Sequence, residues 1–329
     1  MPIPESDRRP GPASGTGPTG ATRPMKPAFS TVACPDWTLE QVADLAARSG
    51  YLGVELRTFG HGSAEFTPDP CLTGPGKVRY LFEQAGVDIA VLASSIRYDA
   101  PVFPPVLGRV FGDFEAPVKA TRSLVRVAAQ LQCPYLRVFP FELQERENRS
   151  QGLRRILERL DLACRTARHT GVRILLENGG SFPTAEDLAE IESRLRNPLL
   201  TFAYSPAVAA AAGEDPLDGI ALLGGDLAVV KLKDFHAGRP VPIGDGDVPV
   251  AEIVRDLAAS NFRGWCTVEW DRLWLPDLAP AEDVLIPSAE RFYGWVKEGL
   301  ARRPASSSAH LQPDRRPLTS RAANRPDVR

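Results

Sequence analysis

The chain has 329 residues, of which 43% are hydrophobic and 24% charged, with a formal net charge of −2. This is the balance of a globular protein with one sizeable core. It offers no overall attraction to nucleic acid and no apolar run long enough to span a bilayer, so the expected partner is a small molecule, with neither nucleic acid nor membrane involved.

Residues 1–26, beginning "MPIPESDRRPGPASGTGPTG", are rich in Pro, Gly, Ser and Thr and lack the apolar stretch of a secretion signal, so a disordered tail is expected there. Met25 falls where order should begin and is an alternative translation start. From 27 to 302, short apolar runs alternate with segments of helical period, the pattern of βα units around a parallel sheet. The predicted strands are 28–34 (AFSTVAC), 52–57 (LGVELR), 88–95 (DIAVLASS), 135–139 (YLRVF), 173–178 (RILLEN), 199–205 (LLTFAYS), 227–234 (LAVVKLKD) and 265–271 (WCTVEWD). The helices between them are expected at 38–50, with Thr38 as N-cap, and at 75–85, 115–131, 150–170, 184–195, 216–223 (weakly), 249–259 and 287–300. The "SG", "AG" and "TG" pairs before the second, third and fifth strands fit helix C-caps, and the "AVAAAAGED" stretch after the sixth strand carries little information. Residues 303–329 are again rich in Pro, Ser and Arg and are expected to be a loose tail.

Eight such units predict a single-domain (β/α)₈ barrel. An open doubly wound sheet is less favoured, because no glycine-rich fingerprint follows the first strand. The five cysteines, Cys34, Cys71, Cys133, Cys164 and Cys266, are odd in number and widely spaced, which reads as reduced thiols and a cytoplasmic protein. In such a barrel catalytic groups gather at the C-terminal strand ends. Glu55 and Arg57, Arg137, Glu177 and Asn178, Lys231 and Lys233, and Glu269 and Asp271 all fall there. Strand alternation sends Lys231 and Lys233 to one face, and buried charges at a barrel mouth require mutual neutralisation.

The segments "CPDW", "GVELR", "LRVFP", "ILLEN", "VVKLKD" and the G-x-G loop leading to "VEW" together resemble the sugar phosphate isomerase/epimerase family with the xylose isomerase-like TIM barrel, over residues 27–300 or so. The resemblance implies one divalent metal held by a Glu, an Asp, a His and a Glu on the fifth to eighth strands. Glu177 and Glu269 match the two glutamates. Ser205 stands in place of the aspartate and Lys231 in place of the histidine, while Val208 and Leu275 replace two further histidines. An ammonium repels a cation, so the expectation is either no cofactor or a single divalent metal on an altered site, with Lys231 lying between Glu177 and Glu269 as a built-in positive charge.

The resemblance implies an enzyme of the isomerase/epimerase or dehydratase type, which moves a proton at a carbon beside a carbonyl of a polyol, keto-sugar or hydroxy-acid. Glu177 and Glu269 are the proton-transfer pair, and Lys231, with Lys233, is the source of positive charge. A Schiff base at Lys231 is a variant of this scheme, opposed by the neighbouring carboxylates. Glu55, Arg57, Arg137, Lys233, His236 and Trp270 are the expected substrate contacts. Against these stand plainer readings: a Glu55–Arg57 ion pair at the rim, and packing roles for Trp37, Trp270 and Trp274. The loop "PIGDGDVP" suits a phosphate, or is a tight turn. Of the four histidines, His61 and His236 sit on loops after strands, His169 late in a helix and His310 in the tail, too few for a multinuclear zinc endonuclease. Two rivals remain: a degenerate barrel that binds a small molecule or partner without turnover, and a metal enzyme with His236 or Asp234 as substitute ligands.

Overall fold

The computed structural model describes residues 25–58, 69–100, 115–145 and 147–302. Both predicted tails, His61 and His310 lie largely or wholly outside the described residues. Met25 lies inside them, buried in the core with its sulfur 3.5 Å from Cys266 Sγ.

Eight parallel strands close into a barrel. In chain order they are β1 (Lys26–Ser30), β2 (Gly53–Arg57), β3 (Asp88–Arg97), β4 (Tyr135–Phe139), β5 (Arg173–Glu177), β6 (Leu200–Tyr204), β7 (Leu227–Leu232) and, after a small hairpin, β10 (Trp265–Val268). The hairpin is β8 (Asp234–His236) paired antiparallel with β9 (Arg239–Val241). The ring closes where β1 pairs β10, with Ala28 beside Thr267. The helices are α1 (Leu39–Ser49), α2 (Pro75–Ala85), α3 (Ala116–Gln130), α4 (Arg149–Thr166), α5 (Ala185–Leu195), α6 (Pro206–Ala211), α7 (Pro216–Leu223), α8 (Val250–Ala259) and α9 (Ala281–Ala301).

Local chemistry explains the boundaries. Thr38 caps α1 in a reciprocal box with Gln41, and Thr184 does the same for α5 with Asp187. Gly50 and Gly86 end α1 and α2 in the left-handed conformation, as the sequence predicts. Gly171 is also left-handed but does not cap a helix, because α4 stops at Thr166 and a short turn intervenes. Two further expectations change. Residues 206–211 form a helical turn started by Pro206, and α9 begins at Ala281, ahead of the expected start at 287, with Pro287 inside it.

The barrel floor is apolar: Ala28, Val91, Leu175, Ala203, Val229 and Trp265 pack together. Gly53 is needed here, because a Cβ on it would lie 2.5 Å from the Trp265 ring. One residue pair further along the strands, the interior changes character. Ser30, Glu55, Arg137, Lys231 and Thr267 replace the usual aliphatic layer, and all are buried. A charge network thus sits on the floor and opens towards the C-terminal strand ends.

Candidate active site

Side chains alternate along β7, so Val229 fills the floor and Lys231 enters the interior above it; Lys233, just past the strand, follows on the same side. Lys231 has no solvent exposure. Its Nζ donates to both oxygens of Glu55, at 2.6 and 2.7 Å, and lies 2.8 Å from Glu269 Oε2. The expectation that Lys231 joins Glu177 to Glu269 is therefore corrected: it joins Glu55 to Glu269. Glu177 instead receives Arg137, whose Nη1 is 3.0 Å from Oε2 and 3.6 Å from Glu55 Oε1. Ser30 Oγ adds a bond to Glu55 Oε1 at 2.9 Å. Lys233 lies at 3.0 Å from both Glu269 Oε1 and Asp271 Oδ1.

The electrostatic result is a ring of fixed charges. Burial pushes the Glu269 carboxyl up, but Lys231, Lys233 and Arg137 outweigh it and hold the group far below the ordinary carboxylate range. Glu55 is held down in the same way, burial being overcome by Lys231 and Arg137. Burial lowers Lys231, yet Glu269, Glu55 and Glu177 more than restore it, so it stays an ammonium. Asp271 moves the other way: burial keeps it above its usual value despite Lys233.

Not every polar group is spent. Glu269 meets Lys233 through Oε1 at 3.0 Å and Lys231 through Oε2 at 2.8 Å, the second being an ion pair without hydrogen-bond alignment, whereas Glu177 accepts from Arg137 on Oε2 alone and Oε1 has no hydrogen bond among the described residues. Arg57 makes no ion pair with Glu55. Its Nη2 donates to Ser95 Oγ at 3.2 Å, and Nε is buried without a partner. The Ser205 hydroxyl is buried and unpartnered as well, while its backbone is clamped by Asn178, which accepts from Ser205 N at 2.7 Å and donates to its carbonyl at 3.2 Å.

Other expected site residues lie elsewhere. His236 is exposed on the β8–β9 hairpin and faces Asp247 at 3.2 Å. Trp270 is buried and gives its indole N–H to Ala279 O at 2.9 Å. Trp37 packs against the core, and Trp274 and Leu275 are exposed beyond β10. Asp234 accepts from the backbone N–H groups of Phe235, Gly244, Gly246 and Val248 at 2.8–3.0 Å. Its carboxylate is thus saturated. The glycine loop that suited a phosphate has already turned its N–H groups inward to Asp234, and the tight-turn reading is the one the structure supports.

A divalent ion on the ligand positions that the resemblance implies would have to displace three fixed cations. Position 231 supplies an ammonium, position 205 a neutral hydroxyl, and Glu177 and Glu269 are engaged by Arg137, Lys231 and Lys233. Among the described residues, no group of three or more His, Cys, Asp or Glu side chains is arranged to hold a metal. The donor set does not fit a divalent cation.

The model of the xylose isomerase-like TIM barrel family matches residues 43–293. The chain belongs to that family. No curated protein matches the sequence of this xylose isomerase-like barrel. Among solved structures it is similar to the probable 3-DHS dehydratase AsbF of Bacillus anthracis, at 15% identity and a TM-score of 0.66, covering 81% of this chain and 98% of that one. It is similar to the IolI protein with a bound zinc atom, at 15% identity and a TM-score of 0.66, over 83% of this chain and 98% of that one. A D-psicose 3-epimerase from Clostridium cellulolyticum H10, solved with D-tagatose, aligns at 14% identity and a TM-score of 0.63, over 84% and 99%. Likeness at this identity shows the shared fold. No helix among the described residues is long and apolar enough to cross a membrane.

Proposed function

We propose that this barrel is an isomerase/epimerase-type or dehydratase-type enzyme that moves a proton at a carbon beside a carbonyl of a sugar-like or hydroxy-acid substrate, using fixed organic cations where relatives of the fold hold a metal. One observation carries the reading: Glu177 keeps one carboxylate oxygen without a partner at the mouth, while its other oxygen is anchored by Arg137 at 3.0 Å. An oriented carboxylate with an open lone pair is what a general base requires. Lys233, partly exposed above the network, presents positive charge to an oxyanion developing on the substrate. Lys231 lies beneath, out of a substrate's reach; it acts by positioning Glu55 and Glu269 and by supplying charge to the interior. The similarity of the fold to an epimerase and a probable dehydratase supports the reaction class.

Deuterium exchange into candidate ketoses and keto-acids, followed by NMR, tests this. The expected result is exchange that survives chelator, disappears in Glu177→Gln and weakens in Lys233→Met. Exchange abolished by chelator and restored by a divalent metal would overturn the metal-free mechanism, and absence of exchange on every candidate would overturn the enzymatic reading.

A second reading has its own support. Glu269 is neutralised on both oxygens, which makes it a poor base, and a barrel whose charges are satisfied internally suits a binding module. In that case Glu177→Gln alters ligand affinity and no proton exchange accompanies binding.

A further inference from the structure

Gly53, Glu55 and Arg57 share the inward face of β2, with Glu55 deep in the network and Arg57 nearer the opening. The strand end is rigidly held: Arg57 N–H donates to Thr31 Oγ1 at 3.0 Å, and Thr58 donates to Ala93 O through both its N–H, at 2.8 Å, and its hydroxyl, at 3.2 Å. The guanidinium above this anchor is under-used. It carries five N–H donors. Among the described residues it spends one, on Ser95 Oγ, and no carboxylate stands within 4.0 Å of it. The neighbouring acids are held by other cations: Glu55 by Lys231, Glu177 through Oε2 by Arg137, and Glu269 by the two lysines. Nε of Arg57 and Nε of Arg137 are both buried without partners. Burial and the nearby Arg137 push Arg57 down to about 10, against the pull of Glu55, Glu269 and Glu177, so its charge is poorly compensated and yet persists at neutral pH.

We propose that Arg57 docks an oxyanion terminus, a carboxylate or a phosphate, on the substrate of this barrel. The planar fork matches two oxygens of such a group, and a neutral sugar would leave its donors unanswered. The location of substrate in the mouth rests on the function proposed above, and the test separates the two. Isothermal titration of the full chain uses inorganic phosphate and malonate as probes, with a neutral ketohexose as reference. The wild type should bind one equivalent of phosphate or of malonate, whichever is tighter naming the group, and the ketohexose should bind more weakly.

Arg57→Met should weaken that binding by about tenfold or more, and Arg57→Lys, which keeps the charge and loses the fork, by a smaller factor. Should Arg57→Met fail to fold by circular dichroism, Arg57→Lys alone decides, since unchanged affinity there contradicts fork recognition. Equal binding by wild type and Arg57→Met, or no binding of either probe at millimolar concentration, overturns the proposal. Anion binding retained in a protein that exchanges no proton, and in Glu177→Gln, would leave the Arg57 site standing and remove the enzymatic reading alone.

Discussion

Removing the Lys231 ammonium tests the charge network most directly. In Lys231→Met the volume is nearly kept, but Glu55 loses contacts of 2.6 and 2.7 Å and retains only Ser30 and a 3.6 Å approach of Arg137, while Glu269 keeps Lys233. A fully buried carboxylate in that state escapes by binding a proton, which limits the damage. Holding it protonated at pH 7 costs about 1.36 kcal/mol for each of the roughly 2.7 pH units above the unfolded value of about 4.3, or about 3.7 kcal/mol. That agrees with the roughly 3–5 kcal/mol typical of breaking one side of a buried ion pair. The variant's Glu55 has a raised folded-state pKa, so its deficit grows with pH above about 4.3 and shrinks to about 1 kcal/mol at pH 5. Urea unfolding at several pH values measures this, and Glu55→Gln added to Lys231→Met should flatten the dependence. A deficit below about 1 kcal/mol at pH 7, or one that does not change between pH 5 and 7, would refute the assignment of Lys231 as the internal counter-charge.

Borohydride reduction in the presence of ketoses, followed by peptide mass spectrometry, should yield no adduct at Lys231, because its amine is sealed from solvent and held as an ammonium by Glu55 and Glu269. Asp234→Asn should cost about 2–4 kcal/mol in urea unfolding, since the carboxylate gathers four backbone N–H groups; Gly246→Ala should disturb the same loop, its Cβ falling 2.3 Å from Asp234 Oδ1. In the wild type the depressed Glu55 and Glu269 add stability that is complete above their unfolded values and is lost as pH falls through their folded ones. The raised Lys231 and Lys233 add stability until pH climbs past their unfolded values. The urea midpoint should therefore drop below about pH 4 and hold from about pH 5 to 10, with the acid drop reduced in the Glu55→Gln/Lys231→Met background.

The barrel was legible because its signals are local. Alternating apolar runs and capped amphipathic helices gave β4 at 135–139 and α2 at 75–85 without error. The ends of other strands were over-read: 28–34 ends as a 3-10 turn after Ser30, and 265–271 leaves the sheet after Val268, because apolar composition continues where pairing stops. The charged residues at the mouth were also visible as strand-end residues. Their pairing was not, since Lys231 and Glu55 are 176 positions apart and are brought together only by closure of the barrel. Reading Gly53, Glu55 and Arg57 as one inward face would have moved Glu55 from the rim to the interior. Nothing local marks Asp234 as the clasp of the 242–248 loop, because its partners are backbone groups and any sequence offers those.

The interior charges divide unevenly along the chain. β1 to β4 bring Glu55, Arg57 and Arg137, one positive charge in excess, and the segment from β5 onward brings Glu177, Lys231, Lys233, Glu269 and Asp271, one negative charge in excess. Neither half-barrel is electroneutral inside without the other. A fragment ending after β4 would emerge from synthesis with stranded cations, and a duplicated first half could not substitute for the second, so the two halves of this chain are complementary rather than interchangeable.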